Sequence, residues 1–298
     1  MTRFSKLWLA ALLLAALLPA CQKQNDSSFS PVPYLRNFSS VAELSDYLAW
    51  KPGRPALLSA HRGGPLPGYP ENAIETFENI LHYAPALIEC DVRKTRDDAL
   101  VMLHDEELDR TTTGKGLLAE HSLDEVSGLF LVDNEGRQTD YRIPTLDAVL
   151  EWARGKAVLT LDVKRGVSAE EVAEAIRRHE AQPYAVVITY TLEWAERFHQ
   201  LDPDLMISAS AKGPEGVARL LNSGIPANRL VAFVGVSEPD PAVYQELHNA
   251  GISTILGTMG NLDTRAAQRG ISVYQSLIQN GATILSTDNV PLATRALH

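Results

Sequence analysis

The segment "ECDVRKTRDDALVMLHD", residues 89–105, sets two carboxylates two positions apart in an apolar run. It then turns through charged residues and closes a second apolar run on a histidine. An ionised carboxylate is costly to bury unless it is paired or bound to a metal. The placement recurs along the chain: His61 and Arg62 follow "LLSA", Asp162 and Lys164 lie in "VLTLDVK", and Asp288 follows "ILST". Residues two apart in a strand share a face, so Glu89 lies beside Asp91, and Asp162 beside Lys164, with Ile88, Cys90 and Val92 opposite. Glu89, Asp91 and Asp162 form an oxygen donor set suited to a hard divalent cation such as Ca²⁺ or Mg²⁺. His61 and His104 can serve as general base and general acid. Arg62 and Lys164 are cations available to a phosphate. Together these groups describe metal-assisted phosphoryl transfer on a phosphodiester.

The elements that must position them are legible as nine apolar, β-branched runs: "ALLSAH", "ALIECDV", "ALVMLHD", "AVLTLDVK", "AVVITY", "LMISAS", "LVAFVG", "STILGT" and "ATILST". Helical patterns such as "NAIETFENILHY", "AEEVAEAIRRHE" and "DPAVYQELHNAG" separate most of them. Alternating strand and helix predicts a parallel sheet. No Gly-rich phosphate fingerprint follows the first run, which disfavours a dinucleotide-binding sheet. The second and third runs are joined only by "RKTRDDA", too short for the crossover that parallel neighbours need. One of that pair is therefore an antiparallel arm. The prediction is a (β/α)8 TIM-type barrel with a short accessory β-hairpin, over residues 41–298, with the polar residues at its C-terminal face.

The chain opens with "MTRFSKLWLAALLLAALLPAC", a basic start, a short apolar stretch and a small-residue ending. "LPAC" resembles the lipobox of bacterial lipoproteins, which implies a signal peptide over residues 1–21 and lipid attachment at Cys21. Gln22 favours the outer membrane, so the expected location is extracytoplasmic and lipid-anchored. Residues 22–40 are polar and aperiodic and read as a tether. With Cys21 lipidated, Cys90 has no partner for an internal disulfide, so the fold needs a substantial core. A net charge of −10 argues against nucleic acid as a partner.

The series "HRGG", "PENAIETF", "IECDVRKTRDD", "VMLHD" and "LDRTTTGKG", followed by "LDVK" and "GATILSTD", resembles the glycerophosphodiester phosphodiesterase family in order and spacing. The resemblance implies that His61 and His104 are the catalytic acid–base pair, Arg62 a phosphate contact, and Glu89 and Asp91 metal ligands. It implies a small-molecule glycerophosphodiester substrate, cleaved to glycerol 3-phosphate and an alcohol, and places Glu71 near the metal. The family usually carries Glu where this chain has Asp162, one methylene shorter. It often carries a tryptophan near the stretch 256–263, absent here.

Blander roles compete at several positions. Asn72 reads as a helix cap with Glu75 closing a capping box, Thr111–Thr113 as loop packing, and Asp288 as the cap of the next turn. Trp152 and Trp194 read as helix packing, and Cys90 as a buried thiol. His82, His121, His179, His199, His248 and His298 read as solvated. The competing functions are a phospholipase, a glycerophosphoinositol-directed hydrolase on the same scaffold, and a non-catalytic phosphodiester-binding lipoprotein.

Overall fold

A computed structural model describes residues 29–297; Cys21 and the segment 1–28 lie outside the described residues, as does His298. Eleven strands are present among them: β1 (Leu57–Ala60), β2 (Leu87–Lys94), β3 (Leu100–Met102), β4 (Phe130–Val132), β5 (Gln138–Arg142), β6 (Leu159–Val163), β7 (Ala185–Thr189), β8 (Met206–Ser210), β9 (Leu230–Gly235), β10 (Ser253–Gly257) and β11 (Ile284–Thr287). The order β1-β11-β10-β9-β8-β7-β6-β2 closes through a β1–β2 pairing, and all eight neighbours run parallel. This is the eightfold barrel, with β3 as the antiparallel arm on β2.

Side-chain alternation explains what each strand contributes. In β2, Ile88, Cys90 and Val92 pack outward against the surrounding helices, while Leu87, Glu89 and Asp91 point into the barrel. In β6, Leu159, Leu161 and Val163 face outward, and Thr160 and Asp162 inward. Glu89 stands opposite Thr160, and Asp91 opposite Asp162. The lumen therefore runs from apolar at one end to acidic at the other.

The apolar end is plugged. Helix Val41–Leu48, capped by the Ser40 side chain, inserts Leu44 and Leu48 among Leu87, Met206, Val231 and Ile284 at the starts of the strands. From Phe29 onward the chain approaches this end, bonding Ser30 N–H to His82 O, Tyr34 N–H to Leu81 O and Arg36 N–H to Lys156 O. Among the described residues no helix is long and apolar enough to cross a membrane.

The segment 103–145 departs from the expected pattern. It builds a small second core from Val101, Leu103, Leu108, Leu118, Val126 and Leu131, topped by the antiparallel β4–β5 pair. Neither strand stands out in the sequence, because β5, "QTDYR", has no buried residue and so no apolar alternation. The solvated reading fails for His248, whose ring stacks on Trp50 at 4.7 Å and whose pKa is lowered by burial. Trp152 and Trp194 pack as expected, against Phe77 and Phe198.

Candidate active site

The site begins at the turn after β1. Ala60 leads into a short 3₁₀ turn, His61–Gly63, in which Arg62 takes the left-handed conformation at φ 52°. That conformation is uncommon for a residue with a Cβ, and such residues gather at functional sites. Two glycines make the turn possible. A Cβ on Gly63 would lie 2.2 Å from the Phe77 ring, and both Gly63 and Gly64 have positive φ. The "HRGG" sequence thus lets the chain turn flush against helix Ile74–Ile80 and present His61 and Arg62 over the barrel mouth.

Glu89, Asp91 and Asp162 meet there, with one carboxylate oxygen from each lying within 4.8 Å of the others. All three are buried. Glu89 accepts from the Arg62 N–H at 2.6 Å. Asp91 accepts from Asn72 Nδ2 at 2.7 Å and pairs with Lys164 Nζ at 2.7 Å. Asp162 Oδ2 accepts from Lys164 Nζ at 2.5 Å and from the Tyr190 hydroxyl at 2.7 Å. Burial, reinforced by the charge of Asp91, pushes the Glu89 carboxyl up to about 8. Burial also works to raise Asp91, but Lys164 and Asn72 outweigh it and leave that carboxyl lowered.

This donor set fits a divalent cation. Asp162 Oδ1 is buried with no hydrogen-bond partner among the described residues. An orphaned carboxylate oxygen beside two further carboxylates is costly, and a cation bound between them answers both costs.

The two histidines flank the acidic cluster in matching ways. His61 Nδ1 lies 2.7 Å from Asp288 Oδ1, and His104 Nδ1 lies 2.7 Å from Asp105 Oδ1. A carboxylate on Nδ1 fixes the ring and its tautomer and leaves Nε2 for chemistry. Burial lowers the His61 pKa, but the Asp288 hydrogen bond and the charges of Glu89 and Asp288 exceed it, and the net shift is upward. His104 is brought in by the arm: Leu103 N–H bonds Asp91 O at 3.0 Å, and Arg93 Nε holds His104 O at 2.7 Å. Asp105 is fixed in turn by Arg110, at 2.6 Å through Nε.

Two of the blander readings are overturned. Asn72 does not cap: the helix starts after Ala73 with no side-chain cap, and Asn72, at φ 61°, turns its amide to Asp91. Asp288 does not cap either, since Asn289 fills that role and Asp288 faces His61. Glu71 is buried and accepts from both Arg62 and Arg110. It ties the mouth of β1 to the loop after His104. Thr112 and Thr113 bond backbone atoms, consistent with loop packing. Sequence reasoning missed Asp105, Arg110 and Tyr190. Asp105 adjoins His104 in "LHD" and was open to detection; Tyr190 ends the "AVVITY" run and carried no charge to mark it.

Two hollows adjoin His61. One, of about 110 Å³, lies in the lumen among Glu89, Asp162, Tyr190, Phe233 and Met259. The other, of about 500 Å³, lies between Arg62, Glu71, Arg110, Asp288 and the loop Asp133–Gly136.

Comparisons with known proteins agree with this arrangement. The Glycerophosphoryl diester phosphodiesterase family matches residues 61–275. The YhdW protein of Bacillus subtilis (strain 168) is 33% identical over 223 residues, covering 72% of this chain and 90% of YhdW. A crystal structure of a glycerophosphoryl diester phosphodiesterase from Parabacteroides distasonis ATCC 8503 superposes with a TM-score of 0.82 at 34% identity, covering 89% of this chain and 94% of that one. An Oleispira antarctica phosphodiesterase, solved with its product sn-glycerol-3-phosphate, shares the fold at a TM-score of 0.63 and 20% identity, covering 82% of this chain and 97% of that one. With an acidic cluster, two carboxylate-held histidines and an eightfold barrel on a matching sequence, the chain belongs to the glycerophosphoryl diester phosphodiesterase family.

Proposed function

We propose that this chain hydrolyses glycerophosphodiesters to glycerol 3-phosphate and an alcohol, with a divalent cation, Ca²⁺ or Mg²⁺, held by Glu89, Asp91 and Asp162. The observation that carries the reading is the pair of histidines, each held through Nδ1 by its own carboxylate, beside three clustered buried carboxylates. A bound cation would supply charge neutralisation and orientation to the phosphodiester oxygens. His61 and His104 then divide the proton transfers: one takes a proton from the substrate's own glycerol hydroxyl as it attacks phosphorus, the other gives one to the departing alcohol oxygen. Water then opens the resulting cyclic phosphate with the two roles exchanged, leaving glycerol 3-phosphate. Asp288 and Asp105 keep the rings oriented, and Asp288 also favours the protonated form of His61. Arg62 and Lys164 are the cations offered to the phosphate, and Glu71 holds the Arg62 guanidinium in place at 3.1 Å.

We further propose that the protein is a bacterial lipoprotein, anchored through Cys21 on the extracytoplasmic side of the membrane. The described chain starts at the plugged end of the barrel, where Phe29, Val32, Tyr34 and Leu35 are exposed. Only Gln22–Ser28 lie between Cys21 and that point, a reach of at most roughly 25–30 Å when extended. Such an anchor would turn the mouth away from the membrane. This supports a soluble, deacylated diester over an intact phospholipid.

Product analysis tests the reading. Glycerol 3-phosphate should appear when the full-length protein is given glycerophosphocholine, glycerophosphoethanolamine or glycerophosphoinositol. Turnover of phospholipid vesicles with no turnover of any of the three diesters would favour the phospholipase reading. Silence on both, with substrate binding intact, would favour the non-catalytic one.

A further inference from the structure

The third carboxylate of the cluster is aspartate, and an aspartate on β6 reaches less far into the lumen than a glutamate would. Two groups converge on one of its oxygens. Lys164 Nζ and the Tyr190 hydroxyl both donate to Oδ2, and Oδ1 remains buried without a partner among the described residues. A carboxylate clamped by two donors on one oxygen has a fixed plane, and the other oxygen then has a fixed direction.

Tyr190 is placed for this by strand geometry. Asp162 pairs in register with Ile188, and Tyr190 follows two residues later on the same, inward face. The residue is 62% exposed, so it contributes little to the core, while its hydroxyl reaches down to the buried carboxylate. An aromatic ring that stays open to solvent while its hydroxyl is committed to a buried acid serves the acid rather than the packing.

We infer that Tyr190 is a positioning residue for the cation site: its hydroxyl, with Lys164, fixes Asp162 so that Oδ1 is presented to the cation, offsetting the shorter side chain. The inference rests on the cation reading above. Partners that orient metal ligands from behind are worth ~10–100-fold in affinity.

The test is Tyr190→Phe in the full-length chain, stripped with chelator and titrated with Ca²⁺ and with Mg²⁺ by calorimetry. Cation affinity should fall by ~10-fold or more, while the melting temperature of the cation-free protein stays close to that of the wild type, because the exposed ring is retained. Glu89→Gln is measured alongside. If Glu89→Gln loses cation binding and Tyr190→Phe binds as tightly as the wild type, the role of Tyr190 is refuted and the cation site stands. If Glu89→Gln binds as the wild type does, the cation site itself is misplaced. A raised KM in Tyr190→Phe with unchanged cation affinity would overturn the inference in favour of a substrate contact.

Discussion

Asn72 holds Asp91 from two directions: its Nδ2 donates to Asp91 Oδ2 at 2.7 Å, and its Oδ1 accepts the Asp91 N–H at 2.9 Å. Both residues are buried. The grip requires Asn72 to adopt a left-handed backbone, which asparagine tolerates better than most residues. Asn72→Ala removes both bonds and leaves a buried carboxylate short of a donor. Unfolding in urea should show a loss of about 2–3 kcal/mol, and turnover should fall with it. A variant as stable and active as the wild type would mean that Asp91 is held by Lys164 alone.

The histidines should matter for turnover and not for cation binding. His61→Ala and His104→Ala are each expected to lower kcat by ~10²-fold or more, with calorimetric cation affinity unchanged. Near-normal kcat in either variant would remove that histidine from the chemistry.

Glu89→Gln should have the opposite signature, weakened cation affinity with part of the activity recovered at excess cation. Activity in this variant that does not respond to added cation would rule out Glu89 as a ligand.

Asp105 provides a pH dependence of stability. The hydrogen bond from Arg110 holds its carboxyl well below the usual carboxylate range, with His104 adding to the effect. A carboxyl with a folded pKa below its unfolded value of about 3.9 stabilises the fold above that value and stops doing so as pH falls toward the folded pKa. The melting temperature of Asp105→Asn should therefore lie furthest below the wild type near neutral pH. The gap should close as pH drops below ~4. A gap that stays constant from neutral pH to strong acid would show that the stabilisation does not come from the ionised carboxylate.

Gly63→Ala places a methyl 2.2 Å from the Phe77 ring at a φ of 82°. Overpacking and backbone strain together should cost at least ~2 kcal/mol, readable as a lower urea midpoint. Gly68→Ala also sits at positive φ but meets nothing within 4 Å, so it isolates the backbone contribution and should cost less.

The barrel was legible in the sequence because parallel strands buried on both faces read as near-continuous apolar runs. Polar residues that interrupt such runs therefore stand out, as Glu89, Asp91 and Asp162 do. The β4–β5 pair was not legible, since a strand with no buried face has no alternation to find. Nor were the roles of Asn72 and Asp288. Each sits two residues before a helix, where capping is the ordinary local explanation, and their partners Asp91 and His61 are 19 and 227 residues away in the chain. Tyr190 shows the same limit, because an aromatic at a strand end gives no sign that its hydroxyl is committed to Asp162.

The most direct test of the central claim is a cation titration of activity. The full-length protein, stripped with chelator, would be assayed for glycerol 3-phosphate release from glycerophosphoethanolamine as Ca²⁺, Mg²⁺ or Mn²⁺ is added back, with His104→Ala in parallel. The predicted result is no release without cation, saturable recovery with at least one of the three, and little recovery in His104→Ala. Full activity in the stripped protein, or equal recovery in His104→Ala, would contradict it.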